Sequence, residues 1–173
     1  MKVINFPRYR LEIKKDSELT YQEAQEIVDL YNMAFYENQV VDKAQLGFFL
    51  RCVRDMDIFY WFLIKNSKDK ILAMVSLVHN FTNAYLFDIN TELNENICSL
   101  AVHPDHRGQG LARQLVKRVV IYAHDYCGLR PNDQLVLELK KDSHHYQQLG
   151  YLYTTEGFQP FTQTATGMFF RRS

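Results

Sequence analysis

Between Arg107 and Ala112 the chain sets one arginine and two glycines, Arg107-Gly108-Gln109-Gly110-Leu111-Ala112, directly ahead of an apolar run with helical spacing. A glycine-bearing loop at a helix N-terminus turns successive backbone N–H groups towards one point, where the helix dipole is positive. The two glycines let an anion approach the backbone closely. The chemistry on offer is therefore phosphate or diphosphate binding. Neither common nucleotide pattern is present. The Lys-Ser/Thr that closes a P-loop is missing, and Gly108-Gln109-Gly110 lacks the third glycine of a dinucleotide fingerprint.

The segment before the loop, Ile97-Cys98-Ser99-Leu100-Ala101-Val102-His103-Pro104-Asp105-His106, reads as an apolar strand running into a proline turn. A strand ending Leu100-Ala101-Val102-His103-Pro104, then Arg107-x-x-Gly110-x-Ala112, then a helix, closely resembles the acetyl-CoA loop of the GNAT superfamily of N-acetyltransferases. The resemblance implies an α+β fold: a mixed, mostly antiparallel sheet of about six to seven strands flanked by about four helices. In such a fold the sheet is splayed between the strands 96–102 and 134–140. The resemblance further implies that the amides of Arg107, Gly108, Gln109, Gly110, Leu111 and Ala112 hold the diphosphate of acetyl-CoA, a co-substrate. Main-chain groups of Leu100, Ala101 and Val102 would pair with its pantetheine arm much as an added strand does. Such contacts need backbone geometry, so the side chains of Gln109 and Leu111 can vary.

Acetyl transfer to an amine makes three demands: the amine loses a proton, the tetrahedral oxyanion is stabilised, and the departing thiolate gains from a proton donor. A tyrosine hydroxyl, with a free pKa of about 10, suits the last role. The family's Leu-Tyr-x-x-x-Gly-Phe signature is reproduced by Leu152-Tyr153-Thr154-Thr155-Glu156-Gly157-Phe158 and assigns the donor to Tyr153. Tyr146-Gln147-Gln148-Leu149-Gly150-Tyr151 is a competing frame. It leaves only about two helical turns after Ser143, and it lacks the apolar residue before the tyrosine and the closing Phe. The frame chosen puts Gly150 inside a helix, at about 1 kcal/mol. Either tyrosine could instead be core packing. For the base, Leu137-Glu138-Leu139-Lys140 resembles the Leu-Glu-Val-Arg strand of members that acetylate N-terminal amines, pointing to Glu138; an outward strand residue paired with a neighbouring lysine is the alternative. In histone-type members the base opens the preceding strand, where this chain has Asn96, which accepts no proton; Glu95, Asp88 and Glu92 are further candidates.

The stretch Phe81–Asn96 carries Asp88, Glu92 and Glu95 beside Tyr85 and Phe87. With Phe35-Tyr36-Glu37-Asn38 it corresponds to the family's acceptor site, and an acidic, aromatic mouth favours a cationic amine. His103 and His106 flank a proline turn and His144 and His145 are adjacent, so neither pair sets two metal ligands on one face, and no metal site is expected.

These residues need a frame. Arg8–Lys14 alternates as a first strand. Thr20 and Glu23 form a capping box that opens a helix with Ala24, Ile27, Val28, Tyr31 and Phe35 on one face. Asp42 caps a second helix through Val53. Asp57–Lys65 and Ile71–Asn80 form a hairpin around Asn66-Ser67-Lys68-Asp69. A short strand near Ala84–Ile89 precedes the strand Asn96–Val102. A helix then runs from Gly110 to His124 with Leu111, Leu115, Val119 and Tyr122 inward, stopped by Gly128 and Pro131. Gln134–Lys140 is a strand, Asp142 or Ser143 caps a helix to about Glu156, Gly157 stops it, and Gly167–Arg171 closes the sheet.

The 173 residues, 47% hydrophobic, suit a single domain over 1–173. Net charge is +0 with 20 basic and 20 acidic residues, which argues against an electrostatically driven nucleic-acid binder. The 12 Phe and 11 Tyr serve core and strand packing or line a ligand groove with rings. Cys52, Cys98 and Cys127 are scattered and without a Cys-x-x-Cys pair, which fits a reduced, cytoplasmic chain. No signal peptide or membrane span is expected. A homodimer stays open. The reading is an N-acetyltransferase that moves an acetyl group to a primary amine (a small cationic amine, a lysine or a peptide N-terminus) by direct attack in a ternary complex. Its rivals are a non-catalytic acyl-CoA-binding module and a nucleotide-phosphate binder.

Overall fold

A computed structural model of the chain describes residues 1–6, 8–35, 59–81, 94–126, 134–141, 143–163 and 167–172. Over them the chain forms strands β1 (Lys2–Asn5), β2 (Arg10–Lys15), β3 (Phe59–Lys65), β4 (Ile71–Phe81), β5 (Asn94–Val102), β6 (Gln134–Lys140), β7 (Gln159–Gln163) and β8 (Gly167–Arg172). The helices are α1 (Tyr21–Phe35), α2 (Leu111–Tyr126) and α3 (Tyr146–Thr155). The strands hydrogen-bond in the order β1-β2-β3-β4-β5-β6-β8-β7, eight in all. β5 and β6 are parallel; β1–β2, β2–β3, β6–β8 and β7–β8 are antiparallel. The mixed, mostly antiparallel α+β fold is as expected, with more strands than foreseen: β1 and β7 were not anticipated. Three α-helices lie among the described residues. The helix expected from Asp42 and the short strand near Ala84–Ile89 fall outside them. Among the described residues no helix is long and apolar enough to cross a membrane.

The chain divides into two compact units, Met1–Leu77 with Ser99–Leu115, and Val78–Cys98 with Val116–Ser173.

In the first unit the capping box forms in both directions: the Thr20 amide donates to Glu23 Oε2 at 2.8 Å and the Glu23 amide to Thr20 Oγ1 at 3.2 Å. Two orphan donors of the first helical turn are satisfied reciprocally. Ile27 and Leu30 of α1 join Leu19, Trp61, Leu63, Ile71, Met74 and Ala101 in one buried cluster. Val28 is buried as expected, while Ala24 and Tyr31 are half-buried. The hairpin turn also forms: Asn66 Oδ1 accepts from the Lys68 and Lys70 amides, with Asp69 in the left-handed region at φ 65°.

One feature of β2 departs from its sequence. Alternation predicts one solvated face, yet Glu12 and Lys14 are buried beside Leu11 and Ile13. Glu23 of α1 accounts for it. Lys14 Nζ and Lys65 Nζ each lie 2.5 Å from Glu23 Oε1, and Lys65 Nζ lies 2.8 Å from Glu12 Oε2. Arg10 Nε meets Glu12 Oε1 at 2.7 Å. Buried charges persist when paired and hydrogen-bonded, and here acids and bases alternate. Burial alone would raise the Glu23 carboxyl, but the Lys14 and Lys65 ammonium groups and the Thr20 amide outweigh it and bring its pKa down to about 2. Glu12 is likewise held below the usual carboxylate range: burial opposes the shift, and Lys65 and Arg10 prevail.

In the second unit β6 pairs with β8 from Leu135↔Arg172 to Lys140↔Gly167, and β7 pairs with β8 through an irregularity between Pro160 and Thr162. Val116, Val119, Val120 and Ala123 of α2 are buried. Tyr122, expected inward, is only half-buried and stacks on Tyr126 with ring centroids 4.8 Å apart; Ala123 takes the inward place. Helix α3 begins two to three residues later than a cap at Ser143 or Asp142 implies, at Tyr146. Ser143 Oγ accepts the His145 amide at 3.3 Å and Ser143 O the Tyr146 amide at 3.0 Å, so Ser143 closes a turn ahead of the helix, and His145 is the N-cap.

Candidate functional site

The loop that opens α2 is fixed at its entrance. The His103 amide donates to Leu72 O of β4 at 2.8 Å, and the amides of His106 and Arg107 return to His103 O and Pro104 O at 2.9 and 3.2 Å. His103 Nδ1 accepts the Asp105 amide. Arg107 Nε donates to Val102 O at 3.4 Å, so its side chain folds back onto the end of β5.

Gly108 and Gly110 then take φ of 75° and 77°. A Cβ at either would meet nothing within 4 Å. Space does not require glycine here; the left-handed backbone does. Successive amides bent this way form an anion-binding nest, and residues 108–110 are exposed. The Gln114 amide donates to Gly110 O at 3.0 Å, making Gly110 the first carbonyl of the helix. The amides of Leu111 and Ala112 therefore have no helical carbonyl behind them, while the Leu111 side chain is 1% exposed and anchors the loop. The Arg107 amide is already engaged with Pro104 O.

Strand β5 leads into this loop. Its pairing with β6 runs from Asn94↔Gln134 to Ile97↔Leu137, and Ser99 follows in the left-handed region at φ 55°. A non-glycine residue there marks a local irregularity of the bulge type. Leu100, Ala101 and Val102 come next, with Ala101 buried in the apolar cluster.

The candidate acid and base residues belong to the second unit. Tyr153 is 5% exposed, with Phe158 edge-on at 6.1 Å and Phe170 tilted at 5.8 Å between ring centroids. Burial pushes its phenol well above the usual range, so the hydroxyl stays protonated. The backbone explains the signature around it. The Phe158 amide donates to Tyr153 O at 3.0 Å and the Gly157 amide to Thr154 O at 3.1 Å, with Gly157 at φ 88°. This is a Schellman stop with its apolar contact between Tyr153 and Phe158. Tyr146, the first residue of α3, is half-buried. Glu138 is the first residue of β6 beyond the last β5 pair. Its Oε2 lies 2.6 Å from Lys140 Nζ, the ion pair held above as the alternative. A Cβ at Gly167 would stand 2.6 Å from Glu138 Oε1, which can swing aside, and 2.9 Å from the backbone carbonyl of Leu139, which cannot, so β8 needs glycine here. Glu95 and Asn96 lie on β5 opposite Leu135 and Val136; Asp88 and Glu92 fall outside the described residues, as do residues 36–38.

Sequence reasoning missed one contact at the loop. Tyr9 Oη donates to Gln109 Oε1 at 2.7 Å across 100 residues of sequence. No local pattern announces it.

Residues 57–160 match the acetyltransferase (GNAT) domain. Among solved structures, a GNAT-family acetyltransferase of Bordetella pertussis is similar at a TM-score of 0.74 and 12% identity, with all of both chains covered. An acyl-CoA N-acyltransferase of Pseudomonas aeruginosa is similar at 0.70 and 18% identity, covering 95% of this chain and 99% of the other. The N-acetyltransferase PseH of Campylobacter jejuni, solved with acetyl coenzyme A, is similar at 0.62 and 17% identity, covering 93% and 96%. No curated protein matches the sequence. The family match spans more than half of the chain, which therefore belongs to the GNAT acetyltransferases, and so is an acyltransferase.

Proposed function

We propose that the protein moves an acetyl group from acetyl-CoA to a primary amine (a small cationic amine, a lysine side chain or a peptide N-terminus) by direct attack within a ternary complex. The observation that carries this reading is the open, left-handed nest at Gly108 and Gly110, set on the first turn of α2 in a chain of this family. The nest takes the diphosphate. Main-chain groups of Leu100, Ala101 and Val102 take the pantetheine arm and, with it, the thioester.

The amine nitrogen, once deprotonated, attacks the thioester carbon. Backbone N–H groups of β5 stabilise the oxyanion. As the C–S bond breaks, Tyr153 gives its proton to the sulfur, Tyr146 being the second candidate. Support for Tyr153 comes from its burial, which keeps the phenol protonated. Glu138 accepts the proton of the amine, directly or through water; its place just past the end of the β5–β6 pairing supports that role. To act as base it must exchange its Lys140 partner. The scattered cysteines support a cytoplasmic setting.

Thiol release from acetyl-CoA across a panel of polyamines, amino-sugars, lysine peptides and N-terminal peptides tests the proposal. Turnover with a cationic amine is expected. Saturable coenzyme binding without turnover of any amine would instead support a non-catalytic binding module.

A further inference from the structure

We infer that Tyr9 is a positioning residue for the diphosphate loop, acting through the side chain of Gln109. The inference rests on the proposed coenzyme site. Gln109 stands between Gly108 and Gly110, the tripeptide with the most backbone freedom to lose on ordering. It is exposed, and a Cβ at either flanking glycine would meet nothing within 4 Å. Packing at those two positions therefore does not hold the nest in shape. The Tyr9 hydroxyl, 2.7 Å from Gln109 Oε1, does.

The donor is itself fixed. Tyr9 closes the β1–β2 connection, where its carbonyl accepts the Phe6 amide at 2.7 Å, and Asn5↔Arg10 is the adjoining pair. Arg10 next to it is bound to Glu12 and Asp69. A tether from a hydrogen-bonded hairpin to the middle of the glycine loop orders the amides before any ligand arrives. Pre-ordering strengthens binding by reducing the entropy lost on association. It adds nothing to the bond-making step. The side chain of Gln109, which backbone-only recognition leaves free to vary, thus acquires a role.

The test compares Tyr9→Phe, Gln109→Ala and the double variant with the wild type. The expected result is a rise of about two- to thirteenfold in KM and Kd for acetyl-CoA, the size of one hydrogen bond of about 0.5–1.5 kcal/mol. In Tyr9→Phe, kcat and KM for the amine stay unchanged, and the double variant is no worse in coenzyme affinity than either single one. Hydrogen exchange of the 108–112 amides in the ligand-free protein should quicken in Tyr9→Phe without a change in Tm. Unchanged coenzyme affinity, additive effects, or unchanged loop exchange each overturn the inference. A wild type that binds no coenzyme would instead refute the proposed function, and the exchange comparison would still judge the tether.

Discussion

The carbonyl of Tyr153 accepts the amide of Phe158 at 3.0 Å, and the two rings meet edge to face at 6.1 Å. A single backbone bond thus joins the candidate proton donor to the residue that ends its signature. The glycine between them, at φ 88°, permits the reversal. Part of the Tyr-x-x-x-Gly-Phe pattern is therefore a helix stop, and the tyrosine is held in place by the same device.

Gly157→Ala should lower stability by about 1–2 kcal/mol, the cost of a side chain in the left-handed region. The added Cβ would also stand 3.2 Å from Arg172 Nη1, which can move aside. Urea unfolding measures it; a neutral result would mean the stop is relaxed elsewhere.

Tyr153→Phe keeps the apolar contacts with Phe158 and Phe170 and removes only the hydroxyl. kcat should fall about 100-fold or more, with KM for acetyl-CoA and Tm little changed. Because burial keeps the phenol protonated, any alkaline loss of activity in the wild type should persist unshifted in the variant. Full activity would leave Tyr153 as core packing and turn attention to Tyr146.

Glu138→Gln should slow turnover about 100-fold. A full rate would remove Glu138 from the mechanism and leave it as the ion-pair partner of Lys140.

The Glu12–Lys14–Glu23–Lys65 network sets an acid limit on stability. The Glu23 carboxyl titrates at about 2 in the folded chain against 4.5 for the free group. A lowered carboxylate stabilises the fold above the unfolded value, and this contribution is lost as pH falls from 4.5 towards 2. Its size is on the order of 3 kcal/mol. Glu23→Gln should cost about 3 kcal/mol at neutral pH, since it strands two buried ammonium groups on Glu12, and should flatten the acid slope of Tm. A Tm independent of pH between about 5 and 3 would contradict the network's role.

The parts legible in the sequence were those whose cause is local. The loop showed itself because left-handed backbone calls for glycine, and the capping box because Thr20 and Glu23 lie three residues apart. β1 was missed because Lys2–Asn5 carries no signal of its own and is defined by its register with β2. β7 was missed because Pro160 interrupts it and its burial does not alternate cleanly. The charges of β2 misled for another reason. Alternation reads Glu12 and Lys14 as solvated, whereas their partners, Lys65 and Glu23, come from distant segments that no window on β2 contains. The Tyr9–Gln109 bond is the same lesson at the site.

Titration of the wild-type chain with acetyl-CoA by calorimetry, beside Gly110→Val, tests the central claim most directly. The account predicts saturable one-to-one binding, a rise in Tm, and at least a tenfold weaker affinity in the variant, because a β-branched residue cannot hold φ near 77°. No heat and no Tm shift in the wild type, or equal affinity in the variant, would contradict it.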